Sequence, residues 1–269
     1  MLAVTSVTEH CRDGVSLTRA ATLQEGENLQ MNRRLFTCAA GVLFAFAGAS
    51  AMADLANYSQ DFESLNAADT GALAGDGWKV FGNVFDGTNG NYLYGYGVFP
   101  APNDGAAFSA IATGEGGVDQ GAQQLSIFSD YNNGDHANGH KIESNVFQEQ
   151  VVGAADVGAT YTFSWDAKLG NLGGASTALA FIKTLDPGNG FALTNFITVD
   201  MTSIPTTWGS YNSSIFIDSS LENQILQFGF LNNATNYEGS GVFYDNINFA
   251  PEPSSLVLFG LALTVIRRR

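Results

Sequence analysis

The side chains in this sequence best suited to chemistry are tyrosines, carboxylates and a pair of histidines. Asn91-Tyr92-Leu93-Tyr94-Gly95-Tyr96 sets three tyrosines at alternate positions, so on a strand Tyr92, Tyr94 and Tyr96 fall on one face. Exposed tyrosines stack against the C–H faces of sugar rings, and their hydroxyls suit a wet surface. The same spacing equally describes the tyrosine-rich edge of a core. His136 and His140 have the separation of a helical zinc pair, but Asn138-Gly139 breaks a helix between them and no cysteine follows them to complete a site, so they read as surface-loop histidines. Asp130-Tyr131-Asn132-Asn133-Gly134-Asp135 is rich in oxygens. Its glycine is fifth rather than sixth and no glutamate stands twelfth, so a solvated turn is expected rather than a calcium loop.

Carboxylates are abundant. Between Asp54 and Ala250 lie 21 acidic residues, four lysines (Lys79, Lys141, Lys168, Lys183) and no arginine, so this stretch carries a formal −17. Such a body cannot neutralise a phosphate backbone, which excludes nucleic acid. It also lacks the guanidinium forks that clamp uronates and phosphates. Acid pairs for glycoside hydrolysis are easy to draw and none is distinguished by context. There is no G-x-S-x-G, no cysteine nucleophile and no Walker loop, so the body is read as non-catalytic. Both cysteines, Cys11 and Cys38, precede Asp54, so no disulfide holds the body and a hydrophobic core must.

The two ends read as addresses. From Met31, Arg33 and Arg34 form a basic region, Leu35 to Ala47 an apolar one, and Ala51-Met52-Ala53 a small-residue exit before Asp54. That is the order of a secretory signal, expected over residues 31–53 with cleavage after Ala53. Residues 1–30 would bury the basic region inside the chain and are expected to be an upstream, disordered extension. Leu35-Phe36-Thr37-Cys38 lacks the small residues that precede a lipidated cysteine. At the other end, Pro251-Glu252-Pro253 is followed by an apolar run from Ser254 to Ile266 and by Arg267, Arg268 and Arg269. The run falls short of the ~20 residues that span a bilayer, and the arginines hold the tail on the cytoplasmic side. Residues 251–269 resemble the PEP-CTERM sorting signal. The resemblance implies recognition by an exosortase-type enzyme and transient contact of the tail with the inner membrane. Tail removal follows, with delivery to the surface or extracellular matrix of a Gram-negative-type bacterium that makes exopolysaccharide. An ordinary tail anchor is the alternative.

The elements between these ends are strands. Alternating segments recur at residues 123–129, 145–152, 160–168, 178–185, 210–218, 224–231 and 241–249. In the third, Tyr161, Phe163 and Trp165 share one face and Thr162, Ser164 and Asp166 the other. Gly-Asn, Asn-Gly, Asp-Gly and Asp-Pro-Gly clusters separate the segments as tight turns require. Ten to twelve short strands in about 200 residues predict an all-β fold over 54–250, a single two-sheet antiparallel jelly-roll sandwich, flanked by the signal helix and a short apolar C-terminal helix.

The order of Asp61-Phe62-Glu63, Gly77-Trp78, Gly158-x-Thr160-Tyr161-x-Phe163-Ser164, Thr206-Thr207-Trp208-Gly209-Ser210-Tyr211 and Tyr244-Asp245-Asn246-Ile247 resembles the galactose-binding-like jelly rolls among carbohydrate-binding modules. That resemblance implies a structural calcium joining the first and last strands through Glu63 and Asp245, with Asp61 as a further ligand. It implies core positions for Trp78, Trp165 and Trp208. The expected function is a secreted or surface-displayed module that binds or organises extracellular polysaccharide through Tyr92, Tyr94 and Tyr96. A matrix or adhesion protein without a sugar site, and a divergent glycan-active enzyme, are the alternatives.

Overall fold

A computed structural model describes residues 54–253. The signal segment with Ala51 and Ala53, and the tail from Ser254 through Arg267, Arg268 and Arg269, lie outside the described residues. The body is an antiparallel jelly-roll sandwich of twelve strands in two six-stranded sheets. The first sheet contains β1 (Tyr58–Gln60), β4 (Ser109–Thr113), β5 (Gln123–Ile127), β7 (Thr160–Leu169), β10 (Gly209–Phe216) and β12 (Val242–Pro251). Its order is β10-β7-β12-β5-β4, with β1 pairing the far end of β12. The second contains β2 (Lys79–Phe85), β3 (Tyr92–Pro100), β6 (Lys141–Val151), β8 (Thr177–Asp186), β9 (Ala192–Asp200) and β11 (Ile225–Ala234), in the order β3-β2-β6-β11-β8-β9. The one α-helical turn is α1 (Ala72–Gly75). Among the described residues no helix is long and apolar enough to cross a membrane.

Alternation decides which side chains face inward. In β7 Tyr161, Phe163, Trp165 and Ala167 are buried, while in β11 the inward row is Leu226, Phe228, Phe230 and Asn232. Aromatic rings from both sheets meet between them. Phe228 stacks on Phe249 at 4.3 Å between centroids, and Trp78 lies against Phe230 at 6.4 Å. Each such ring removed from water contributes roughly 1.5–3 kcal/mol, which replaces the missing disulfides.

Pro251 still pairs with Tyr161 as the last residue of β12, and the Glu252 N–H donates to Thr160 O at 2.7 Å. The sandwich therefore runs through Glu252 rather than ending at Ala250, because the strand partner β7 continues that far. Pro-Glu-Pro is an exposed strand end, not a separate turn.

Candidate functional site

The outward rows of the second sheet build a cleft of about 680 Å³. Along β6 the inward residues Ile142, Ser144 and Val146 alternate with the outward Glu143, Asn145, Phe147 and Glu149. The antiparallel register places Gln227 opposite Glu149, and Lys183 opposite Gln227 and Phe196, so one row of outward side chains crosses β6, β11, β8 and β9. Phe81 and Val98 wall one side, and the exposed Phe191, Leu193 and Phe196 of the β9 edge wall the other.

The polar groups on the floor are nearly all engaged with one another. Glu149 accepts from Lys79 Nζ at 2.8 Å and from Gln227 Nε2 at 2.6 Å. Glu143 accepts from Asn83 Nδ2 at 2.9 Å. Lys183 Nζ lies 4.7 Å from the Phe181 ring centroid and 5.4 Å from that of Phe147, and donates to Asn145 Oδ1 at 3.2 Å. Burial pushes its ammonium down to about 8, against the pull of Glu143 and Glu149. Gln227 Oε1 is buried without a partner. Apolar walls around a few convergent donors and acceptors are the makeup of a ligand pocket.

The tyrosine expectation requires correction. The β2–β3 register shifts between Val84 and Phe85, with Val84 opposite Tyr94 and Phe85 opposite Tyr92. Leu93 is the extra residue of a bulge, and a bulge of one residue turns the next side chain to the other face. Tyr92 is 58% exposed on the outer face, edge-on to Phe85. Tyr94 and Tyr96 lie on the opposite face, beside the 130–140 loop. Tyr94 donates to Asp135 Oδ2 at 2.5 Å and Tyr96 to Asp130 Oδ2 at 2.8 Å, and the Tyr96 ring is half-buried against Phe108. The three rings form no common platform.

The same loop corrects the histidine reading. His136 is only 2% exposed, packed between Tyr131 and Tyr237 with Nε2 at 3.2 Å from Ser129 Oγ, and burial lowers its pKa. His140 turns elsewhere and meets Asp135 Oδ1 at 2.9 Å. Asn133 caps a short 3₁₀ turn there by accepting from the Asp135 N–H, so the segment is a turn, as its spacing implies. Trp78 and Trp165 are core residues, but Trp208 is half-buried on the outer face of the first sheet, its indole N–H donating to Glu115 O at 3.0 Å. Trp208 precedes β10 in a loop, where strand alternation does not govern direction.

The three proposed metal ligands do converge on one region. β1 and β5 share the same side of β12, and a bulge in β12 between Asp245 and Asn248 opens the gap between them. Asp61 and Glu63 follow β1 into that gap. Both are exposed, while Phe62 between them is fully buried with φ 61° and Asn246 has φ 47°. A bulky residue in the left-handed region is strained and persists where its surroundings hold it. Glu63 Oε1 accepts from the Ala122 and Gln123 N–H groups at 2.8 and 2.7 Å. Asp245 is 0% exposed, its Oδ2 has no partner, and burial, with Asp61, Glu63 and Asp166 nearby, raises its carboxyl to about 7. One residue beyond the Tyr244–Leu125 pair on the facing strand, Gln124 Oε1 is also buried and unpartnered. Orphan oxygens beside clustered carboxylates are the donor set calcium takes. Among the described residues no three acidic, histidine or cysteine side chains form a group that could hold a metal ion.

No protein-family model matches the chain, and no curated protein matches it. Among solved structures it is similar to the enzymatically active domain of bacteriophage CBA120 tailspike protein 4, with 12% identity and a TM-score of 0.40 over 70% of this chain and 21% of that one. It is similar to the module TmCBM61 in complex with beta-1,4-galactotriose, with 14% identity and a TM-score of 0.35 over 71% and 94% of the two chains. A third is the C-terminal family 22 carbohydrate-binding module of Clostridium thermocellum Xyn10B, with 14% identity and a TM-score of 0.37 over 72% and 91%. The chain thus spans about a fifth of the tailspike domain and nearly all of each module.

Proposed function

We propose that this chain is a non-catalytic, secreted jelly-roll protein that binds a neutral extracellular polysaccharide in the outer cleft of the second sheet. The observation that carries this is the cleft floor itself. Glu149 is paired with Lys79 and Glu143 is engaged by Asn83, while Gln227 Oε1 lacks a hydrogen-bond partner and Lys183 has just one, Asn145. A hydroxyl-rich chain supplies donors and acceptors together and adds no charge, and the −17 of the body opposes polyanions. Tyr92, at the rim of the same face, extends the surface, whereas Tyr94 and Tyr96 hold the loop. Affinity electrophoresis through galactan, xylan, mannan and β-glucan gels tests the reading, with Phe196→Ala and Gln227→Ala expected to lose retardation. Equal mobility of wild type and both variants in every gel removes it, and new reducing ends after incubation would make the protein an enzyme.

Calcium held by Asp61, Glu63 and Asp245 belongs to the same proposal. It would tie the end of β1 to β12 and leave Asp245 ionised. The sorting tail completes it. The exposed Pro-Glu-Pro at the end of β12 is where an exosortase-type enzyme would meet its signal, at the edge of the folded body. Mass spectrometry of protein recovered from the cell exterior checks this, and an intact Arg269 on that protein would refute it.

A further inference from the structure

Lys183 is the one ionisable side chain in the cleft whose neighbours leave it short of partners. An ammonium has three donors, and Asn145 Oδ1 takes one. The carboxylates on β6 are committed elsewhere, Glu143 to Asn83 and Glu149 to Lys79 and Gln227, and Lys183 is in no ion pair among the described residues. The Phe147 and Phe181 rings on either side solvate the charge without accepting its N–H groups in the ordinary sense. Lysines that bury charge at a cost to the fold cluster at functional sites.

Resting on the reading of the cleft as a glycan site, we infer that Lys183 is its specificity-determining donor. The ammonium gives its two remaining N–H groups to adjacent oxygens of a neutral sugar, and binding requires the protonated lysine. The charged groups facing it are Glu143 and Glu149 from β6 and, through Glu149, Lys79 from β2; β11 and β9 present only Gln227 and Phe196. Burial brings the charge change of Lys183 down towards neutral pH. A deprotonated amine loses its charge and one of its three donors, which weakens its hydrogen bonds to sugar oxygens. A free-protein pKa of about 8 makes the protonated fraction fall about tenfold between about pH 7 and about pH 9.

The test is affinity electrophoresis through the same four neutral polysaccharide gels at about pH 7 and about pH 9. Wild type should be retarded with about tenfold lower affinity at the higher pH. Lys183→Met should bind weakly at both, with circular dichroism confirming its fold, and Lys183→Arg, which stays charged, should bind without that decline. Wild-type affinity that is flat with pH, a Met variant that binds as wild type does, or an Arg variant that declines in parallel overturns the assignment. No retardation of wild type in any gel at either pH instead overturns the reading of the cleft.

Discussion

Each sheet carries a buried carboxyl or ammonium that burial drives towards its neutral form, Asp245 in the first and Lys183 in the second, and the two keep opposite company. Asp245, in the bulge of β12, sits among Asp61, Glu63 and Asp166, which raise it further. Lys183, on the outer face of β8, sits near Glu143 and Glu149, which pull it back. A carboxyl among carboxylates is relieved most by a proton or a cation, and less by the single Asn246 N–H it accepts from. An ammonium whose neighbouring carboxylates are engaged elsewhere is relieved by uncharged oxygens. Lys168 sharpens the contrast. It occupies the equivalent outward position on the first sheet, between the rings of Trp208 and Phe243, but Glu115 lies 2.7 Å from it. That lysine has a carboxylate partner within the fold, so the two outer faces differ in how the charge is met although both pair a lysine with two aromatic rings.

The largest effect is expected at Asp245. Its folded pKa of about 7 lies above the unfolded value near 3.9, so the folded state holds the extra proton and stability falls as pH rises from about 4 to about 7. In chelator at neutral pH, Asp245→Asn should therefore be more stable than wild type by a few kcal/mol, a gap that closes towards about pH 4. Calcium should stabilise wild type by about 2.7 kcal/mol at a hundredfold excess over Kd and leave the variant unchanged. Thermal melts across pH, with and without calcium, check both. Parallel pH curves would separate Asp245 from the buried acid, and an equal calcium response in the variant would move the site.

The effect at Lys183 is smaller and of opposite slope. Its folded pKa of about 8 lies below the unfolded value of about 10.4, so the unfolded state holds the extra proton and stability rises as pH climbs between them. Lys183→Met should raise stability by about 1–2 kcal/mol near neutral pH, as replacing a buried charge does, and converge with wild type above about pH 10. Urea unfolding at several pH values measures it. A Met variant less stable than wild type would mean that the ammonium is satisfied within the fold. Smallest of all, Lys168→Met removes a partly exposed pair and should change stability by less than about 1 kcal/mol and leave glycan retardation unaltered. A loss of retardation there would move the binding face to the first sheet.

Most of the sandwich was legible because its strands separate inward from outward residues. β5 to β8 and β10 to β12 all show that contrast. β4, Ser-Ala-Ile-Ala-Thr, is too small in side chains to show it, and β9 turns Leu193 and Phe196 outward, which erases it. β3 read as one clean alternation, and the Leu93 bulge that divides it depends on pairing with β2, which no local pattern contains. The cleft was half visible. Glu143, Asn145, Phe147 and Glu149 stand at alternate positions in the sequence, a polar row with a phenylalanine in it. That Lys183 and Gln227 join this row depends on β11 lying between β6 and β8, a long-range order that periodicity does not encode. Motif order pointed to Asp61, Glu63 and Asp245, and what it did not contain was the burial that leaves Asp245 Oδ2 without a partner.

The proposed function places a neutral glycan on the outer face of the second sheet. Backbone amide chemical-shift mapping of the folded body during titration with the polysaccharide that retards it tests this most directly. Shifts should cluster at Asn83, Glu143 to Glu149, Lys183, Phe196 and Gln227, with the Lys168–Phe243 face silent. Shifts centred on Lys168, Phe243 and Trp208, or on the Tyr94–Asp135 loop, would contradict it.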